Sequence, residues 1–511
     1  MTSRVLGLVR DQVLTGYFGA TDEMDAYRVG FKLPNLFRDL FAEGAMSAAF
    51  VPTFTRHLTE AGREAAWRLA NLVITTLIVV TGAIVLLGII FADPLARALF
   101  PEYAAIPGKI ELTITLTRVM FPTLIFIAVA AAVMGMLNSL RHFFVPALSP
   151  AMFNVVTILL AVVVVPLAPR LGIAPIIVIA VGTVLGGIAQ LALQAPTLAR
   201  EGFRYRPVLN WSDPGLRRVL LLMGPGTIGL AATQLNLLVN MYLAAGEGTG
   251  VQTWLDLAFR LMYLPIGLFG VSIATAVLPA VSKHVVAHDL RGSREAVADG
   301  LGLMLMLNIP ATVGLIVLSI PIVRVIFEHG KFGASDTVAT AAALQLYALG
   351  LVGYSVVRIA SPTFYALGHN RTPVIVSVIA VIVNAALNVM LVRVLGYKGL
   401  ALGTSIAALF NATVLFVLLR RSLGGLNERR LFGSLLRIVI ASAAMGVVAM
   451  LVDRSLAAAL PQRVLFWQIV HVALDIGAAV IVLAAMAWIL RIREFNESMR
   501  MVLGRFRRRA R

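Results

Sequence analysis

Apolar residues run along this chain in long stretches, broken at short intervals by charged residues, glycine and proline. Stretches of about 18 or more apolar residues are long enough to cross a hydrocarbon core as helices. The pattern predicts spans near 3–18, 24–54, 69–96, 110–137, 146–168 and 172–199. A second set follows near 214–243, 252–281, 296–327, 337–367, 373–392 and 399–419, and a final pair near 434–452 and 464–490. The polar gaps between them are too short to hold a water-soluble domain. The first apolar segment contains Arg4 and Arg10 and has no small-residue cleavage site, so a removable signal peptide is not expected.

The first twelve spans read as one six-helix unit written twice. Val29-Gly-Phe-Lys-Leu33, leading to Phe50-Val-Pro52, has a counterpart in Leu257-Ala-Phe-Arg-Leu261, leading to Val277-Leu-Pro279. Thr55-Arg-His57 corresponds to Ser282-Lys-His284. Leu137, Arg141 and Asn154 recur at the same offsets as Leu367, Arg371 and Asn384. Because six is even, both units enter the membrane in the same orientation, and their symmetry axis runs along the membrane normal. The expected fold is therefore an all-α polytopic membrane protein of about fourteen helices. An N-lobe (1–200) and a C-lobe (212–421) are related by a pseudo-two-fold axis, and 430–511 adds helices thirteen and fourteen with a basic tail. Pro34, Pro265, Gly267 and Gly270 are places where the second and eighth helices can bend.

Charge orients this frame. Only 13% of residues are charged, and 59% are hydrophobic. Alternate loops differ sharply: one side carries 26 Lys and Arg, the other 8. The positive-inside rule then places both termini in the cytoplasm. The basic run from Arg505 to Arg511 is a topology signal on this reading, with contact to membrane lipid and no role in nucleic-acid binding.

Nine cations remain inside the spans: Arg4, Arg10, Arg28, Lys32, Arg38, Arg118, Arg260, Arg324 and Arg358. Each costs roughly 2.5–3.5 kcal/mol at a helix centre, so they do not all face lipid. Arg28, Arg118, Arg324 and Arg358 are read as snorkelling or as pairing with an acid one turn away. The first two spans are different, because Asp25, Lys32 and Asp39 repeat every seven residues and share one face. Lys32 and Arg260 fall at equivalent places in the two units. Such a stripe suits a water-filled cavity, and the excess of Arg over Lys points to an anion with phosphate-like oxygens.

The chain has no cysteine, which excludes disulfides, thiolate metal sites and a cysteine nucleophile. Six of its seven histidines lie in loops or at span ends without zinc-type spacing, and no nucleotide or hydrolase motif is present. No enzyme activity, cofactor or metal is expected. Two transport readings stay open at this point: a multidrug antiporter, which would need an acid-dominated cavity, and an exporter of a lipid-linked glycan, which fits the charge equally well.

Ser3-Arg-Val-Leu-Gly-Leu-Val-Arg-Asp11, Phe31-Lys-Leu-Pro-Asn35 and Phe41-Ala-Glu-Gly-Ala45 through Phe50-Val-Pro52 closely resemble the MurJ/MviN family. Met223-Gly-Pro225, Arg260-Leu-Met262, Leu278-Pro279, Gly330-Lys-Phe332 and Thr372-Pro373 extend the likeness. The resemblance implies a flippase that carries lipid II, the undecaprenyl-pyrophosphate-linked peptidoglycan precursor, across the bacterial inner membrane. It implies that Arg4, Arg10, Arg38 and Arg260 contact the pyrophosphate, and that Asp25 and Lys32 match further cavity positions. Helices thirteen and fourteen would form a groove for the prenyl tail, and contact with the cell-wall synthesis machinery is a further expectation. Three departures stand out. The chain starts within the family's first helix. Asp39 stands where relatives often have a second arginine, which offers Arg38 an ion-pair partner. Asn236, Asn240, Asn384 and Asn388 are neutral where some relatives hold sodium with acids, so the drive is left as membrane potential or an ion gradient.

Overall fold

A backbone in hydrocarbon has no water to satisfy its N–H and C=O groups, so an apolar chain of this kind must close its hydrogen bonds within helices. The computed structural model describes residues 2–39, 45–459, 461 and 464–496, with the side chains of 45–48, 224–232, 268–269, 271–272 and 276 also set aside. Among the described residues every regular element is a helix. The motif segment 41–44 and the basic run 505–511 lie outside the described residues.

Nine helices among the described residues are long and apolar enough to cross a membrane. A tenth span is formed if Ala334–Leu349 and Leu351–Ala366, bent by 40° at their junction, count together. These ten coincide with ten of the expected fourteen. The other four are the segments read as the first, second, seventh and eighth spans. They are helical too: Thr2–Phe18, then Asp22–Arg38 with Ala45–Glu60, then Pro214–Ala245, continuous over 32 residues, then Val251–Pro265 with Val271–Val286. The last pair is joined by a π-helical turn, Ile266–Gly270, at the bend expected from Pro265, Gly267 and Gly270. Pro34, by contrast, is carried inside a continuous helix.

Local chemistry sets the ends. Asp213 caps Pro214–Ala245 by accepting from the backbone N–H groups of Gly215 and Leu216, with Pro214 at the first turn where its missing N–H costs nothing. Gly424 ends Tyr397–Leu423 in the left-handed conformation.

The helices form two compact units. The first is Met1–Thr253 with His329–Phe332, and the second is Trp254–Glu328 with Gly333–Arg511. Helix Pro214–Ala245 therefore groups with the first unit. Its Met241 and Ala245 pack on Val29, Leu33 and Ile110. Elsewhere in that unit Phe50, Phe54, Trp67 and Phe203 stack in sequence through a buried cluster. In the second unit, Ile359, Phe364, Leu415 and Leu419 centre one cluster, and Met445, Ala449 and Ala479 join the final two helices in another.

Candidate functional site

The candidate residues divide between the two units, five in the first and Arg260 in the second. In the first unit, Arg10 is buried on helix Thr2–Phe18 at 8% exposure. Its Nη2 lies 3.0 Å from Asp11 Oδ1, and its guanidinium sits 5.9 and 5.8 Å from the Phe31 and Phe153 rings. A charge held between a carboxylate and two aromatic faces is neutralised without water. Arg4, two turns earlier, is exposed.

Arg38 ends helix Asp22–Arg38 and pairs with Asp39 at 2.8 Å. Asp39 uses its other oxygen to accept from Gln234 Nε2 at 3.2 Å, so the expected pairing is present. Arg38 also lines a shallow recess together with Phe31, Asn35, Thr123 and Thr183. Lys32, one and a half turns before Arg38, is half-buried. Along this face Asp25 is fully buried, while Lys32 and Asp39 are half-buried.

Asp25 occupies a different setting. Its Oδ1 accepts from Thr253 N at 3.2 Å and Thr253 Oγ1 at 2.9 Å, and its Oδ2 from Gly250 N at 2.7 Å. Lys109 Nζ, itself fully buried, stands 3.5 Å from Asp25 and 2.6 Å from Asp22. The ammonium lies over the Tyr103 ring at 4.1 Å, and Thr249 donates to Asp22 at 2.6 Å. Burial pushes the Asp22 carboxyl up, but the hydrogen bonds from Lys109 and Thr249 hold it below the usual range. Burial, helped by the Asp25 and Asp22 charges, pushes the Tyr103 phenol up. The cluster ties the start of helix Asp22–Arg38 to Lys109 and to the 249–253 turn. Nearby, Lys331 N donates to Gly16 O at 2.9 Å. Gly330 has φ +61°, and a Cβ there would collide with the Gly16 carbonyl.

In the second unit Arg260 is 3.4 Å from Asp256, one turn before it, and its side chain is 35% exposed. Phe259 and Tyr263 flank it in sequence and stack at 5.9 Å, with Tyr347 and Tyr354 edge-on to them. Arg358 donates to the Tyr263 hydroxyl, a partner that no charge count reveals. Of the remaining cations, Arg28 is buried, Arg118 donates to the Ile89 carbonyl, and Arg324 lies 3.5 Å from Glu328 one turn on. Asn384 and Asn388 are buried and hydrogen-bonded to each other at 3.3 Å.

The helix arrangement and the cation-bearing first, second and eighth segments define a polytopic membrane transporter. A solved structure titled as an inward-facing multidrug resistance MATE family transporter of the MOP superfamily shares the fold, with a TM-score of 0.70 at 16% identity over 83% of this chain and 96% of that one. A structure titled lipid II flippase MurJ, inward closed conformation, aligns over 96% of this chain and 97% of its own, with a TM-score of 0.78 at 29% identity. The lipid II flippase MurJ of Burkholderia cenocepacia is 34% identical across 82% of each chain. The family model described as lipid II flippase MurJ matches residues 14–471. The chain belongs to the MurJ family.

Proposed function

We propose that this membrane protein moves lipid II from the cytoplasmic to the outer leaflet by alternating access, with no covalent chemistry. The observation that carries the reading is family membership over residues 14–471 in a chain whose site helices hold Arg10, Arg38 and Arg260. Both termini face the cytoplasm on the charge bias of the loops, and the lobes that rock are 1–200 and 212–421.

The empty and loaded states differ in which anion the arginines hold. Asp11, Asp39 and Asp256 lie beside Arg10, Arg38 and Arg260. A pyrophosphate offers more charge and more oxygens than one carboxylate, and the planar guanidinium fork suits it. Arg4 and Lys32 extend the same contact. Asp25 has a positioning role, since both of its oxygens already accept hydrogen bonds. On the proposed orientation, the Asp22–Lys109–Asp25 cluster and the Gly16–Lys331 contact lie toward the outer face and close it while the headgroup enters from the cytoplasm. An inside-negative potential assists export by roughly 2.3 kcal/mol per charge per 100 mV. The apolar final helices accommodate the prenyl tail.

Arg10→Ala and Arg260→Ala are expected to abolish lipid II export while leaving membrane insertion intact, read by a leaflet-accessibility assay in cells depleted of the native protein. Normal export by both variants refutes the arginine site. Depletion itself should trap lipid II in the cytoplasmic leaflet and lyse the cells; an unchanged lipid II distribution points instead to another undecaprenyl-linked glycan.

A further inference from the structure

The last two helices, Glu428–Ala459 and Leu465–Ile489, carry a polar group that the transport reading does not use. His471 and Asp475 stand four apart, so they share one face of the final helix. Asp453 reaches them from the end of the preceding helix. His471 Nε2 lies 3.1 Å from Asp453 Oδ1 and 3.3 Å from Asp475 Oδ2. One ligand-type atom from each of the three residues lies within 4.8 Å of the others, the one such grouping of three among the described residues.

Asp475 is fully buried, and neither of its carboxylate oxygens accepts a hydrogen bond. A carboxylate removed from water in this way is costly until a cation compensates it. A singly charged imidazolium leaves the two carboxylates and itself with a net negative charge, whereas a divalent ion beside a neutral imidazole balances both acids. The spacing agrees. Ligand bonds of about 2.0–2.1 Å arranged tetrahedrally give ligand-to-ligand edges of about 3.3–3.4 Å, close to the two separations seen here. Two carboxylates and one imidazole form an N/O donor set suited to zinc-class ions. Asp453 is 27% exposed, so the group is reachable from the loop end of the two helices.

We propose that Asp453 Oδ1, His471 Nε2 and Asp475 Oδ2 bind one divalent transition-metal ion of the zinc class, with a fourth position for water. The ligands come from both helices, so the ion staples the appended pair together toward the end at which they connect. This site is independent of the arginine site and of what is transported.

The test uses the full-length protein, purified without a polyhistidine tag and reconstituted in nanodiscs. After dialysis against Zn2+, the expected metal content is one ion per chain, with a rise in unfolding temperature that EDTA reverses. Co2+ should give the intense visible absorption of a four-coordinate site. His471→Ala and Asp475→Asn should lose the stoichiometric ion and the temperature shift. Removal of an outer-shell partner alone weakens metal sites by about 10–100-fold, and loss of a ligand should do at least as much. His284→Ala, in the last turn of helix Val271–Val286, should bind as the unaltered protein does. The proposal is overturned if the unaltered protein takes up no stoichiometric Zn2+ or lacks the Co2+ band. It is also overturned if binding vanishes with His284→Ala, or survives in folded His471→Ala. A stability that responds to pH and not to metal would assign the group to proton binding instead. The Co2+ spectrum of the unaltered protein decides the matter even if the variants fail to fold.

Discussion

Two buried acid clusters in this molecule have opposite constitutions. Around Asp25, two carboxylates face a buried ammonium, two backbone N–H groups and two threonine hydroxyls, and the inner carboxylate has both oxygens engaged. Around Asp475, two carboxylates face one imidazole, and the inner carboxylate accepts no hydrogen bond. The first is a completed network and behaves as structure. The second leaves its inner carboxylate without a hydrogen bond, and it is the group for which a bound cation is proposed. Burial of charge alone does not distinguish a latch from a ligand site; the balance of donors and acceptors does.

The comparison breaks most sharply at Asp25. Asp25→Ala strands the buried Gly250 and Thr253 donors and leaves Lys109 with Asp22 alone, and it should cost about 3–5 kcal/mol of stability, at about 1–3 kcal/mol for each buried donor left unmade. Chemical unfolding in detergent measures it, and a loss below about 1 kcal/mol would show that the network is not a latch. Gly330→Ala comes next. It adds a Cβ against the Gly16 carbonyl at a left-handed position, and a cost of about 1–3 kcal/mol is expected on the same assay. Asp475→Asn sharpens the contrast from the other side. In metal-free protein it removes an uncompensated charge and should leave stability within about 1 kcal/mol of the parent or raise it. A loss matching that of Asp25→Ala would make the two clusters alike.

The smallest expected effect concerns an exposed loop pair. The His142 ring, hydrogen-bonded to Glu201 at 2.8 Å, holds that carboxyl below the ordinary range, with Arg63 assisting. A depressed carboxyl binds fewer protons folded than unfolded. Its contribution is therefore complete above the ordinary glutamate value of about 4.3 and fades as pH falls through the lowered value. Glu201→Gln should flatten that part of a stability-against-pH curve and leave neutral-pH stability nearly unchanged.

Much of this was legible in the chain. Among the described residues all fourteen expected segments are helical, since apolar length and polar interruption are local properties. Helices Thr2–Phe18 and Asp22–Arg38, which carry Arg4, Arg10, Lys32 and Arg38, are short and rich in charge, so the charge that lowers their hydropathy is also the functional signal. The break at Pro265 to Gly270 and the Arg38–Asp39 pair were readable from neighbouring residues. Lys109 reads as a loop cation between the third and fourth spans, and its place between Asp22 and Asp25 depends on packing across 84 residues. The Asp453–His471–Asp475 group escaped for another reason. His471 and Asp475 at helical spacing are a local signal, whereas Asp453 joins them only through packing between the two helices.

The meeting of Gly16 with Gly330 and Lys331 consists of main chain on both sides. Truncating side chains one at a time would pass over it in silence, since there is nothing at either glycine to remove. Only added bulk can interrogate it. A survey of this protein by alanine replacement should therefore be joined by a survey in which glycines are enlarged, or the contact will be scored as dispensable.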